Sequence, residues 1–258
     1  MLQQTQVSRV LEKYPRFIKR FPSFAILANA RMSSVIREWM GMGYNNRAVR
    51  LQQLANIVVS QYRGKLPNSI TELQLLPGVG KYTAHAIAYL VHNHNVPIVD
   101  TNVKRVLTRV FPAKARKLDI WDLAASILPA RRAQIWNQAL MDLGATICTA
   151  LSPKCGVCPI SNYCPSAFKN HKVDRQQKLP EPSRDGVPNR IYRGRIVDVL
   201  RNSGPNRFIS LNRIGRQIKG SFSTRDEGWL SGLVRDLEQD GLVTLKHTAR
   251  GIIASLPQ

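Results

Sequence analysis

The chain has 258 residues, 43% of them hydrophobic, enough for one large and one small domain, each with a buried core. Lys and Arg number 38 against 16 Asp and Glu, a formal charge of +22 spread along the whole chain. Such an excess points to nucleic acid, because neutralising phosphates releases condensed counterions. No apolar run is long enough to span a bilayer, and the polar start, Met1-Leu2-Gln3-Gln4-Thr5-Gln6, lacks the apolar stretch of a secretion signal. A cytoplasmic, nucleoid-associated protein without membrane contact is therefore expected.

In chain order, the first 165 residues read as nearly all helix. Val7, Val10, Leu11, Tyr14, Phe17 and Ile18 recur at helical spacing and predict one apolar face. A short helix is expected over Ser33 to Met40, stopped by Gly41, and a longer one over Arg47 to Tyr62, with Gly64 just beyond. Ser69 and Glu72 form a capping-box pair that opens a helix to Leu76. Helices also fit Ala84 to His92, Asn102 to Phe111, Trp121 to Leu128 and Ala133 to Cys148. Residues 166–189, rich in proline and charge, read as a linker. Beyond it, Ile191 to Leu200, Leu211 to Ile218 and a helix opened by Thr224 and Glu227 precede a hairpin, Val243 to Leu245 with Gly251 to Ile253. Three helices and a hairpin over 190–258 suggest a winged-helix-like domain, a DNA-binding form in this basic context; a small helical packing module is the alternative.

Two motifs carry chemistry. All four cysteines fall within 17 residues, as Cys148-x6-Cys155-x2-Cys158-x5-Cys164, which in a cytoplasmic protein favours metal binding over disulfides. The spacing alone leaves Zn2+ and a [4Fe–4S] cluster both open. Leu76-Pro77-Gly78-Val79-Gly80-Lys81 lies between two helices. Its glycines let backbone approach a ligand closely, and the following helix offers free amides to a phosphate. Taken alone, that segment could equally be a tight turn that binds nothing.

With Pro97-Ile98-Val99-Asp100 some twenty residues on, the turn resembles the helix-hairpin-helix plus Gly/Pro…Asp signature of base-excision DNA glycosylases. The cysteine spacing resembles the cluster loop of endonuclease III and adenine glycosylases, and Met1 to Val7 is similar to the start of the catalytic region in the adenine branch. The resemblance covers residues 1 to about 165 and implies a mainly α, helix-hairpin-helix glycosylase fold with a [4Fe–4S] loop at 148–164. It implies that Leu76, Gly78, Val79, Gly80 and Lys81 meet phosphate, as does Lys154 in the cluster loop. It also implies that Gln4 wedges into the duplex with Gln3 beside it, and that Tyr44, in Trp39-Met40-Gly41-Met42-Gly43-Tyr44, stacks beside the partner base.

Asp100 reads by itself as a helix N-cap; the resemblance adds that its carboxylate steadies the sugar cation as the base leaves. Asn102 is a polar partner in that site. Tyr82 stands where glycosylase/lyases place a Schiff-base lysine, so a monofunctional enzyme is implied. The implied partner is double-stranded DNA with a mismatch or oxidised base, bound by a monomer, and the implied reaction is hydrolysis of the N-glycosidic bond of adenine opposite guanine or 8-oxoguanine. Two other readings stay open: a thymine-mismatch or endonuclease III-like glycosylase/lyase, and a non-catalytic, redox-responsive DNA-binding protein.

The pattern departs from the family at both ends. The family's proton-donating glutamate stands two residues before the methionine matching Met1, and Glu12, Glu38 and Glu72 do not occupy that position. The expectation is an internal Met1, a glutamate encoded upstream, and weak excision by the chain as given. Residues 190–258 are also too short for the nudix-like domain that recognises 8-oxoguanine in adenine glycosylases.

Overall fold

The computed structural model describes residues 1–169, 180–204, 207–249 and 251–258, and part of the expected linker lies outside them. The described residues divide into two compact units, one of 1–66 with 180–258 and one of 67–169. Among them no helix is long and apolar enough to cross a membrane.

The first unit opens with α1 (Val7–Arg20), α2 (Phe24–Ala28), α3 (Met32–Glu38) and α4 (Asn46–Tyr62). Sequence periodicity puts one broad apolar face on α1; the structure buries Val10 and Phe17 and leaves Val7, Leu11, Tyr14 and Ile18 exposed. The buried line is selected by aromatic packing: the Phe17 ring lies 5.0 Å from Phe21 and meets Trp39 edge-on at 5.7 Å. Helix α2, capped by the Ser23 hydroxyl, is too short to produce a periodic signal and was not expected.

The second unit holds α5 (Ile70–Leu75), α6 (Lys81–Leu90), α7 (Thr101–Val110), α8 (Pro112–Lys117), α9 (Ile120–Ser126) and α10 (Ala133–Asp142). Ser69 occupies the N-cap position of α5 but makes no side-chain cap bond. Ser69 and Glu72 are both exposed, so solvent can satisfy the first amides and the capping box does not form. The last expected helix is interrupted: α10 gives way to a π-helical turn, Leu143–Ile147, just before Cys148. Val103, Leu107, Leu123 and Ala124 form the core between α7 and α9.

The chain then returns to the first unit. Within the expected linker, β1 (Ser183–Arg184) and β2 (Val187–Pro188) pair antiparallel. Asp185 and Gly186 both take positive φ, 50° and 75°, as a two-residue primed turn requires. Next come α11 (Asn189–Asn202), β3 (Ile209–Ser210), α12 (Leu211–Ile218), α13 (Glu227–Gln239), β4 (Thr244–Thr248) and β5 (Gly251–Ser255). The strand order β3-β5-β4, all antiparallel, with this helix order is a winged helix. Its capping box is Ser223 with Asp226, one residue before the expected Thr224–Glu227 pair, because a 3-10 turn over Thr224–Asp226 precedes α13. The module does not pack by itself. Ile36 of α3 and Val49 of α4 share its core with Ile196, Leu230 and Leu237.

Candidate functional site

In the second unit, the hairpin between α5 and α6 follows from local chemistry. Leu76 and Val79 are buried anchors, the Val79 amide donates to the Leu76 carbonyl at 3.1 Å, and Gly78 closes the turn at φ 79°. Gly80 begins α6 with open space where a Cβ would stand, so a ligand can come close to the first turn of the helix. Lys81 is exposed, with its ammonium 4.7 Å from the centre of the Trp121 ring. His85 packs 4.5 Å from the same indole. Its Nδ1 lies 2.9 Å from the Pro97 carbonyl, which can only accept, so Nδ1 carries the proton. Burial lowers the His85 pKa, which favours that neutral ring.

The segment leading to Asp100 is held by a buried amide. Asn137 on α10 accepts from the Ile98 amide at 3.1 Å and donates to the Val96 carbonyl at 2.9 Å. Asp100 then caps α7: Oδ1 accepts from the Val103 amide at 2.7 Å, and Oδ2 accepts from Asn102 Nδ2 at 3.0 Å. Half-burial, with the negative charge of Asp100 added, raises the Tyr82 pKa, so the phenol stays protonated. The sequence pairing of Asp100 with Asn102 is thus realised as a hydrogen bond.

A residue that sequence reasoning missed continues the chain. Arg105 donates to Asn102 Oδ1 at 2.9 Å, to the Gly144 carbonyl at 2.6 Å and to the Cys148 carbonyl at 2.8 Å. The π-helical turn can approach this closely because residue 144 is glycine: a Cβ there would stand 2.7 Å from Asn102 Cβ. Arg105 lies i+3 from Asn102, a pairing that helical spacing allows, but its partners on the turn could not be foreseen.

Cys148, Cys155, Cys158 and Cys164 are free thiols, half-buried, and together line one cavity with Arg109 and Lys154 at its wall. Four thiols around one shared cavity are a donor set that an iron–sulfur cluster takes. Arg109, buried and also missed, donates to Cys148 Sγ at 3.3 Å and to the Thr149 and Ala150 carbonyls at 2.7 and 2.9 Å. It ties Cys148 to α7 and places a positive charge beside the four cysteine sulfurs.

The first unit holds Gln3, Gln4 and Tyr44. Gln4 and Tyr44 both adopt left-handed backbone, φ 54° and 43°, a conformation costly for non-glycine residues and concentrated at functional sites. Arg47 enforces it. Its guanidinium donates to the Met1 carbonyl at 2.9 Å, to Thr5 Oγ1 at 2.7 Å and to the Met42 carbonyl at 3.0 Å, and also bonds the Gln3 carbonyl. It stacks between Trp39 and Tyr44, 5.3 and 5.8 Å from their ring centres. Tyr44 is left 54% exposed, a platform with a cation beneath it.

Residues 1–121 match the HhH-GPD superfamily of base excision DNA repair proteins, and residues 148–164 the iron-sulfur binding domain of endonuclease III. An adenine DNA glycosylase of Mycolicibacterium smegmatis is 41% identical over 211 residues, 79% of this chain and 70% of that protein. The human adenine DNA glycosylase is 39% identical over 195 residues, 73% of this chain and 35% of that one. Among solved structures, a thermostable thymine-DNA glycosylase is 31% identical with a TM-score of 0.62, over 64% of this chain and 79% of that chain. A non-covalent endonuclease III–DNA complex, 24% identical, shares the fold with a TM-score of 0.58, over 64% and 78% of the two chains.

Proposed function

The chain belongs to the HhH-GPD superfamily of base-excision DNA repair proteins, and on that premise we propose a monofunctional glycosylase that removes adenine opposite guanine or 8-oxoguanine. It is a DNA N-glycosylase and an iron–sulfur protein. The fixed carboxylate of Asp100, with a tyrosine and not a lysine at position 82, supports the monofunctional reading, and the adenine DNA glycosylase relatives support adenine as the base.

In the reaction the C1′–N bond breaks, the departing base takes a proton, and water supplies hydroxyl to C1′. Both Asp100 oxygens accept hydrogen bonds, an arrangement suited to stabilising a sugar cation and not to donating a proton. The base therefore draws its proton from another group. Tyr82 offers no amine, so no Schiff base forms through it. The hairpin amides and Lys81 hold phosphate, and Lys154 does so from the cluster loop. Gln4 and Tyr44, with Gln3 alongside, enter the duplex where the extruded base leaves a gap. The cluster, held by Cys148, Cys155, Cys158 and Cys164, supplies structural cross-linking to its loop. The protein acts as a monomer on mismatched or oxidised duplex.

A second reading, thymine excision from T·G, is favoured by the likeness to the thymine-DNA glycosylase. The protein expressed from its own gene should release free adenine from A·G and A·8-oxoguanine duplexes. Strand breaks should appear only after alkali. Thymine release in place of adenine, or borohydride-trapped adduct at lyase-like levels, would overturn the proposal.

A further inference from the structure

The C-terminal module carries a feature that neither the glycosylase chemistry nor its winged-helix topology uses. Within the first unit, a cleft is lined by Gln4, Tyr44 and Asn45 on one side and by Arg190 and Arg195 of α11 on the other. A second cavity adjoins it along α11 and is lined by Arg195, Asn202, Arg207 and Arg213. Arg195 and Asp198 border both, so the two form one groove.

The charge balance of this groove is positive. Asp198 is bonded to Arg201 at 2.6 Å, and Asp240, at the cleft wall, to Arg193. Arg207 and Arg213 are exposed, and among the described residues neither makes an ion pair. Arginine in such a groove is the side chain suited to the paired oxygens of a phosphodiester. The opposite holds for α13. As the second helix of the α12–α13 pair it stands where helix-turn-helix proteins insert a recognition helix into the major groove. Its Asp236 pairs with Arg193 at 3.5 Å, but Glu227 and Glu238 are exposed, make no ion pair among the described residues and outnumber Arg235, which disfavours a polyanion there.

We propose that the C-terminal module is a clamp on the phosphodiester backbone of the same duplex, acting through the arginine groove of α11, β3 and α12 that starts beside Tyr44, with α13 turned to solvent. The proposal rests on the reading that Gln4 and Tyr44 meet DNA. It gives the last seventy residues a role that recognition of an oxidised base does not require.

The test is the salt dependence of binding to an undamaged duplex, followed by fluorescence anisotropy. Each phosphate contact contributes a slope of roughly −0.9 in log K against log salt. Arg207→Gln with Arg213→Gln should therefore flatten the slope by about 1.8 and weaken binding roughly 30-fold at 0.15 M salt. Arg207→Lys with Arg213→Lys should keep the slope, since charge is what counts, and so guards against a loss caused by misfolding. Arg235→Gln on α13 should leave the slope unchanged. An unaltered slope in the double glutamine variant, or a flattened one in Arg235→Gln, would overturn the clamp. Adenine release by the parent protein is scored separately. A parent that excises but shows no Arg207/Arg213 effect sinks the clamp alone. A parent that shows the effect but releases no base sinks the glycosylase reading and leaves the clamp standing.

Discussion

The two units build their site residues in opposite ways. In the second unit, Asp100 is fixed by partners two and three residues along the same helix, in extended backbone at φ −94°, and a buried asparagine holds the segment before it. In the first unit, Gln4 and Tyr44 sit in left-handed backbone, and they are held there by Arg47 reaching back to Met1 and Thr5. Asn45, beside Tyr44, receives a hydrogen bond at 2.8 Å from Arg201, 156 residues away. One unit presents a rigid, locally encoded carboxylate; the other stores strain in a loop that distant parts of the chain must hold. The difference teaches where each unit is vulnerable.

The largest effect should come from the cluster. Cys158→Ser should give protein with less than the full complement of about four irons, and amide exchange should rise through 148–164 and α7 while α11 to α13 stay protected. An equal rise in both units would break the comparison. Next is Gly144→Ala, whose methyl would meet Asn102 at 2.7 Å. Overpacking of this kind costs about 1–3 kcal/mol, read as a lower denaturant midpoint, and the separated helices should also slow excision. Normal stability with normal excision would show that the contact between the turn and α7 does not position Asp100. Arg47→Met keeps the packing on Trp39 but removes the hydrogen bonds, at a cost of about 1 kcal/mol for each that water does not replace. Its effect should be greater on duplex affinity than on global stability, because what it releases is the strained loop.

How far the sequence reveals this architecture depends on the range of the contacts. The hairpin, the capping of α7 by Asp100 and the grouping of the four cysteines are all written within about seventeen residues, and each was legible. Arg105 and Arg109 were not, although both lie on a predicted helix, because their partners are carbonyls and a thiol some forty residues on. The buried face of α1 was misjudged because periodicity sees every apolar residue alike, whereas Trp39 selects Phe17. The winged helix was legible as elements; that Ile36 and Val49 complete its core was not, since no pattern along the chain links them.

The smallest expected effect concerns Asp226, buried in the winged helix under Lys219 at 2.7 Å, Arg184 at 2.6 Å and the Ser223 amide at 3.0 Å. Lys219 first, then the amide and Arg184, hold its pKa far below the ordinary 3.8. A depressed carboxylate stabilises the fold above its unfolded pKa and loses that contribution as pH falls toward the folded value. Asp226→Asn should therefore be less stable than the parent at neutral pH, with the gap narrowing below about pH 4. A gap that is constant with pH would mean the loss is of packing and not of charge.

The most direct test of the central claim is Asp100→Asn under single-turnover conditions on an A·8-oxoguanine duplex, with the protein expressed from its own gene. Asparagine is as good an N-cap as aspartate, so α7 and duplex affinity should be retained while the negative charge is lost. The account predicts a fall in the rate of adenine release of roughly 10²–10³-fold, the scale of losing one electrostatic stabiliser of a transition state, with the dissociation constant unchanged. Adenine release by Asp100→Asn at the parent rate would contradict it.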